Sequence, residues 1–228
     1  MRNLPIVTKS LILANFALWL LTELLEMYGF PLINYLGLFN YSTSYFHWWQ
    51  PITYMFMHGG FSHLFFNMFA VLMFGPVLER EWGPWRYLIY YIICGLGAAF
   101  VQEIVWSLMG VDLSVTIGAS GAVFGILLAF GWLFPDVPMY LLFIPIPIKA
   151  RWMVIGYAVI ELFAGFSPLP GDNIAHFAHL GGMLFGLLPL LWWTYKDRIR
   201  LPKFFDKFHK VENAKDKDYS DYHYHKRL

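Results

Sequence analysis

The chain has 228 residues, 58% of them hydrophobic and 14% charged, with a formal net charge of +1. A soluble domain carries roughly 25% charged residues, so this composition excludes a single water-surrounded globule and makes a lipid bilayer the natural solvent. There is no basic surplus to hold nucleic acid, and the abundant Trp, Tyr and Phe suit aromatic belts among lipid headgroups. Cys94, the single cysteine, can form neither an intramolecular disulfide nor a CxxC site, and reads as a small buried residue.

Crossing about 30 Å of hydrocarbon takes roughly 20 mostly apolar helical residues, and six stretches approach this. The first, about 10 to 28, follows Arg2 and Lys9, lacks an AxA-like cleavage site and is read as a retained helix. A connection rich in aromatics and free of charge (about 29 to 61) then lies on the outer membrane interface, followed by spans at 62 to 79 and 86 to 109. A short fourth span covers 119 to 134, and the last two cover 149 to 166 and 175 to 195. Glu23, Glu103 and Glu161 lie in the first, third and fifth spans, which is costly unless they face the bundle or sit near an end.

Lys and Arg mark cytoplasmic loops. Arg2 and Lys9 precede the first span, Arg80 and Arg86 separate the second from the third, and Lys149 and Arg151 separate the fourth from the fifth. All the other basic residues follow the sixth, and the connections at 29 to 61, 110 to 118 and 167 to 174 hold none. The expectation is an all-α integral membrane protein of six transmembrane helices with both termini cytoplasmic. Residues 1–200 form the membrane domain, and 201–228 form a charged, solvated, disordered cytoplasmic tail in which His223 and His225 are solvated rather than metal ligands. No internal repeat favours an inverted-repeat transporter.

Polar side chains inside such spans are functional hypotheses by default. His63 and Asn67 share a face of the second span, Ser120 opens the fourth within GASGAVFG, and His176 and His179 lie in the first turns of the sixth within AHFAHLGGMLFG. All three spans enter from outside, so topology brings these groups to one depth near the outer face. Taken singly, Gly118, Gly121 and Gly125, like Gly182 and Gly186, could serve only close helix packing, and His63 with Asn67 could merely bridge helices. Together they supply the parts for acyl transfer. His179 is the base for the Ser120 hydroxyl. Gly118 and Gly121 permit a tight backbone, and free N–H groups at the helix start, with His63 and Asn67, face the developing oxyanion. Phe124, one turn beyond Ser120, can stack on the imidazole. His176 takes a supporting role. No carboxylate is evident to orient His179, since Asp172 lies in the preceding loop, so a Ser-His dyad is expected.

At these residues the sequence resembles the rhomboid intramembrane serine proteases. HGGFSHLFFN matches the family's HxxxN pattern, GASG its GxSG motif and AHLGG its AHxxG motif, over roughly residues 45 to 190. The resemblance implies Ser120 as nucleophile, His179 as base, His63 and Asn67 as oxyanion donors and His58 as a further site histidine. It implies a six-helix core without metal or cofactor, a water-filled cavity opening outward, single-pass transmembrane proteins as substrates, and a gate formed by the fifth span and the loop 167 to 174. Glu79 and Arg80 look like a structural family feature. Gln50 stands where many members have Arg, and Phe124 where many bacterial members have Tyr. A prokaryotic inner membrane is the expected location.

Three other readings compete. A catalytically inactive rhomboid-like scaffold that binds membrane proteins is opposed by the retained Ser120 and His179. A zinc site of His58, His63, His176 and His179 lacks an HExxH signature. A small transporter is invited only by the intramembrane glutamates.

Overall fold

A computed structural model of the chain describes residues 4–111, 113–141, 144–167 and 175–197. Asp172 and the whole of the tail 201–228, with His223 and His225, lie outside the described residues. The chain divides into two compact units, Met1–Leu191 and Trp192–Leu228. Within the second, the Lys196 ammonium lies 5.6 Å from the centre of the Trp192 ring, one helical turn away.

The helices are α1 (Ile6–Met27), α2 (Ile33–Leu36), α3 (Gln50–Thr53), α4 (Phe61–Trp82), α5 (Pro84–Met109), α6 (Ser120–Leu133), α7 (Ala150–Phe166) and α8 (His176–Asp197). Four of them, α1, α4, α5 and α8, are long and apolar enough to cross a membrane, and α6 is a shorter apolar helix of 14 residues. Each of the six expected stretches contains one helix, with boundaries a few residues away. Their outward faces are bare hydrocarbon: Leu13, Phe16 and Leu20 on α1, Ile155, Ile160 and Phe163 on α7, and Leu184 and Leu188 on α8 are all exposed. Bands of this kind suit lipid, and helices satisfy their own backbone groups there.

The intramembrane glutamates divide by position. Glu23 is exposed one turn from the end of α1, and Glu103 accepts the Tyr41 N–H at 3.1 Å near the end of α5. Glu161 is buried on the inward stripe of α7 with Ala150, Met153 and Val154, at spacings of three, four and seven.

Glu79, buried near the end of α4, holds the start of α1. Its carboxylate accepts the backbone N–H groups of Val7 and Thr8 at 2.8 and 2.7 Å and the Thr8 hydroxyl at 2.7 Å. The first N–H groups of a helix have no partner within it, and the positive end of the helix dipole favours an anion there. One side chain thus caps α1 and fastens it to α4.

Among the described residues, two small two-stranded sheets accompany the helices. Leu38–Phe39 (β1) pairs antiparallel with Val115–Thr116 (β2), tying the aromatic loop after α1 to the segment that leads into α6. That loop is ordered from within by Gln50, which is fully buried. Its side-chain amide donates to the Tyr45 carbonyl at 2.9 Å and accepts from the Phe39 N–H at 3.3 Å. Further on, Pro138–Leu141 (β3) and Ile144–Lys149 (β4) form an antiparallel hairpin between α6 and α7. Asp136 precedes it and holds both Lys149, at 3.0 Å, and Arg151. The Lys149 ammonium bonded to Asp136 keeps that carboxyl below the usual range.

The core is sealed by glycines where α5, α6 and α8 meet. A methyl carbon on Gly182 of α8 would lie 1.9 Å from the Gly121 carbonyl oxygen of α6. One on Gly125 would lie 2.3 Å from the Cys94 sulfur, and one on Gly97 would lie 2.2 Å from Phe185. Small residues permit this approach, and in lipid such van der Waals packing is a main source of helix association. Tyr90, fully buried, adds a hydrogen bond from its hydroxyl to the Gly125 carbonyl at 2.8 Å.

Two outcomes are expected in thermal unfolding of the detergent-solubilised protein. Glu79→Ala strands two helix-start donors and a hydroxyl and should cost about 2–3 kcal/mol. Gly182→Ala places its methyl against backbone that cannot move aside, and should cost at least about 1–3 kcal/mol through overpacking.

Candidate active site

Ser120 is the first residue of α6, and its exposure comes from the turn before it. Gly118 has φ +118°, a conformation that disfavours any side chain, and its N–H donates to the Tyr54 carbonyl at 2.9 Å. A side chain there would also strike the His63 ring, since a methyl carbon would lie 2.6 Å from Nε2. Glycine is therefore required twice, for the turn and for the close approach of His63. Gly121 serves packing instead, with Ala98 of α5 and the α8 backbone against it.

The close crossing of α6 and α8 places the first turn of α8 beside the first turn of α6. His179 Nε2 lies 2.8 Å from Ser120 Oγ. Phe124, on the next turn of α6, lies parallel to the imidazole with ring centres 4.3 Å apart and an angle of 8°. The ring is thus fixed at one edge and across one face.

Its other edge is fixed too, against expectation. Glu161 of α7 has Oε2 at 2.8 Å from His179 Nδ1 and at 2.7 Å from His176 Nδ1. The three residues are 9%, 7% and 8% exposed in that order, so water screens little of this interaction. An ionised carboxylate only accepts hydrogen bonds. Ionised, Glu161 would hold the proton of His179 on Nδ1 and leave the Nε2 lone pair facing the serine hydroxyl. The expectation of a histidine without a carboxylate partner is overturned. The sequence signal was there: Glu161 is an acid on the inward stripe of an apolar helix, noted for its cost in lipid and not connected to a histidine 18 residues further on.

Glu161, His176 and His179 present ligand atoms within 4.8 Å of one another, a set that can in principle hold a cation. Two ligands on a tetrahedral zinc with bonds of about 2.0 Å stand roughly 3.3 Å apart. The N···O separations of 2.7 and 2.8 Å are shorter and are hydrogen-bond lengths.

The remaining predicted residues surround this centre. The His63 ring borders Gly118, and the Asn67 amide, one turn along, donates to the His63 carbonyl at 2.9 Å. His58 is fully buried with its ring edge-on to His63 at 4.9 Å. Burial, and secondarily His63, push the His58 imidazole down to about 4, so it is neutral near pH 7. A hydroxyl, an imidazole held at both nitrogens and the free N–H groups of a helix start are thus assembled at one place in the fold, which is the equipment of nucleophilic acyl transfer.

Comparison with known proteins supplies the family. The family model described as the Rhomboid domain matches residues 45–195. RHOMBOID-like protein 5 of Arabidopsis thaliana is 34% identical over 170 residues, covering 73% of this chain and 53% of the relative. A Bacillus subtilis protein provisionally named a rhomboid protease, YdcA, is 31% identical over 156 residues, covering 66% of this chain and 69% of its own. Rhomboid-type serine protease 2 of Emericella nidulans is 37% identical over 147 residues, covering 61% of this chain and 26% of the relative. The chain thus spans about half the plant relative and a smaller part of the fungal one. These relatives come from a plant, a bacterium and a fungus, so they support an integral membrane protein without singling out a prokaryotic inner membrane. With two thirds of its length matched by the family model and its apolar helices arranged as described, the chain belongs to the rhomboid family.

Proposed function

We propose that this protein is an intramembrane serine endopeptidase that cuts peptide bonds in or near the transmembrane segments of single-pass membrane proteins. The observation that carries the reading is the 2.8 Å contact of His179 Nε2 with Ser120 Oγ at the start of an apolar helix. In this reading the six helices α1, α4, α5, α6, α7 and α8 all span the bilayer. Both termini are cytoplasmic, the α6 and α8 starts lie near the outer face, and lipid surrounds the bundle.

The reacting pair is Ser120 and His179. His179 Nε2 takes the hydroxyl proton as Oγ bonds to the scissile carbonyl carbon, and the carbonyl π electrons move onto oxygen. The N–H of Ser120 and donors from His63 and Asn67 receive that oxyanion, with Asn67 turning from the His63 carbonyl to do so. The proton on Nε2 then passes to the departing amine, leaving an acyl-serine that water hydrolyses by the same route in reverse. Gly118 holds the turn, Gly121 lets α5 and α8 pack close beside Ser120, Phe124 keeps the imidazole flat against α6, and His58 and His176 support the site. No cofactor is required. Relatives named as proteases support the chemistry, and the exposed apolar helix faces support a substrate that arrives through lipid.

The expected result is that purified protein in detergent reacts covalently with a fluorophosphonate serine probe and cleaves a single-pass transmembrane substrate. Ser120→Ala and His179→Ala should reduce both to background, a fall of ~10³-fold or more, with thermal unfolding near that of wild type. Folded wild type that neither labels nor cuts overturns the reading in favour of a non-catalytic scaffold for membrane proteins.

A further inference from the structure

We infer that Glu161 is the positioning residue of the base, so that the site works as a Ser120–His179–Glu161 triad with His176 as the clamp on its acid. This rests on the reading of Ser120 and His179 as the reacting pair.

Three facts carry it. The two nitrogens of His179 are engaged at opposite ends of one line, Nε2 with Ser120 Oγ at 2.8 Å and Nδ1 with Glu161 Oε2 at 2.8 Å. Second, the carboxylate is buried in a stretch of α7 whose neighbours Ile160, Leu162 and Phe163 are exposed apolar side chains, a place where an acid is costly without a compensating partner. Third, His176 Nδ1 binds the same oxygen at 2.7 Å, so the acid is held by α8 at two points three residues apart. A carboxylate needed only to join α7 to α8 would be satisfied by His176. Its contact with His179 fixes both the tautomer and the tilt of the ring that faces the serine.

Before reaction His179 carries its single ring proton on Nδ1, donated to Glu161. When Nε2 takes the Ser120 proton, the imidazole becomes a cation beside an anion already in place, and no reorganisation is needed to meet that charge. Glu161 stays ionised throughout, and the Nδ1 proton stays on nitrogen. Replacing the carboxylate by an amide presents an N–H₂ group that favours the other tautomer, with the Nε2 proton pointing at the serine and the base disabled.

The test uses the full chain in detergent, with a fluorogenic single-pass substrate, a fluorophosphonate probe and the variants Glu161→Gln and Glu161→Asp. Glu161→Gln should lower kcat by ~10²–10⁴-fold while KM changes less than about threefold, since the residue does not touch substrate. Glu161→Asp should recover at least about tenfold over Glu161→Gln. A second measurement does not depend on either variant folding: in ¹⁵N-histidine-labelled wild type, NMR should place the His179 ring proton on Nδ1. If wild type is active and Glu161→Gln keeps its kcat, or if NMR finds the proton on Nε2, the triad is overturned and the dyad stands alone. An equal loss in both carboxyl variants with a raised KM assigns Glu161 to helix packing and also overturns it. Wild type without labelling or cleavage sinks the protease reading itself, a result distinct from any of these.

Discussion

A polar group inside a bilayer has no water to fall back on, and the architecture answers that constraint at three buried side chains, Glu79, Gln50 and Glu161. Glu79 meets it by taking the unpaired N–H groups at the start of α1. Gln50 meets it by bonding to backbone within its own loop, which turns an uncharged aromatic segment into a platform paired through β1 and β2 to the residues ahead of Ser120. Glu161 meets it with two imidazoles. In each case satisfying one side chain also fixes the relative position of two pieces of chain, so polar residues that are costly in lipid become the points that set register.

The geometry of the candidate site depends on that register. Ser120 and His179 are 59 residues apart and meet because α6 and α8 cross at glycine, with the turn at Gly118 delivering the serine at the start of its helix. His179 is then restrained on three sides, by the hydroxyl, by the Phe124 face and by the Glu161 carboxylate. Preorganisation of this kind is worth more than any single contact, because each partner removes a different motion of the ring.

Much of this was legible from residue order. Apolar runs of spanning length located the helices, and the polar residues within them, Ser120 with His179 and His63 with Asn67, stand out before any geometry. Phe124 could be placed by counting one helical turn from Ser120, since i and i+4 share a face. Glu161 could not be joined to His179 that way. Its meeting with α8 depends on the rotation of α7 about its axis and on a connection whose path no local pattern dictates. The stripe Ala150, Met153, Val154, Glu161 does contain the rotation, but reading it needs the knowledge of which face is inward. The β3–β4 hairpin was missed for a different reason: its prolines demote a strand in any propensity reading, whereas a two-stranded hairpin has edges on which proline is tolerated.

The contact between Gly182 and Gly121 has a consequence for how this protein can vary. Hydrogen is the smallest substituent a backbone can bear, so at this crossing there is no conservative exchange to make; alanine, the mildest replacement elsewhere in a helix, is here the first step of separation. Tolerance is therefore one-sided. The lipid-facing positions of the same helices can exchange one apolar side chain for another with little effect, while a single methyl group at the crossing pries apart the two helix starts that carry the hydroxyl and the imidazole. The most fragile coordinate of the candidate site lies one turn away from it, where there is no side chain at all.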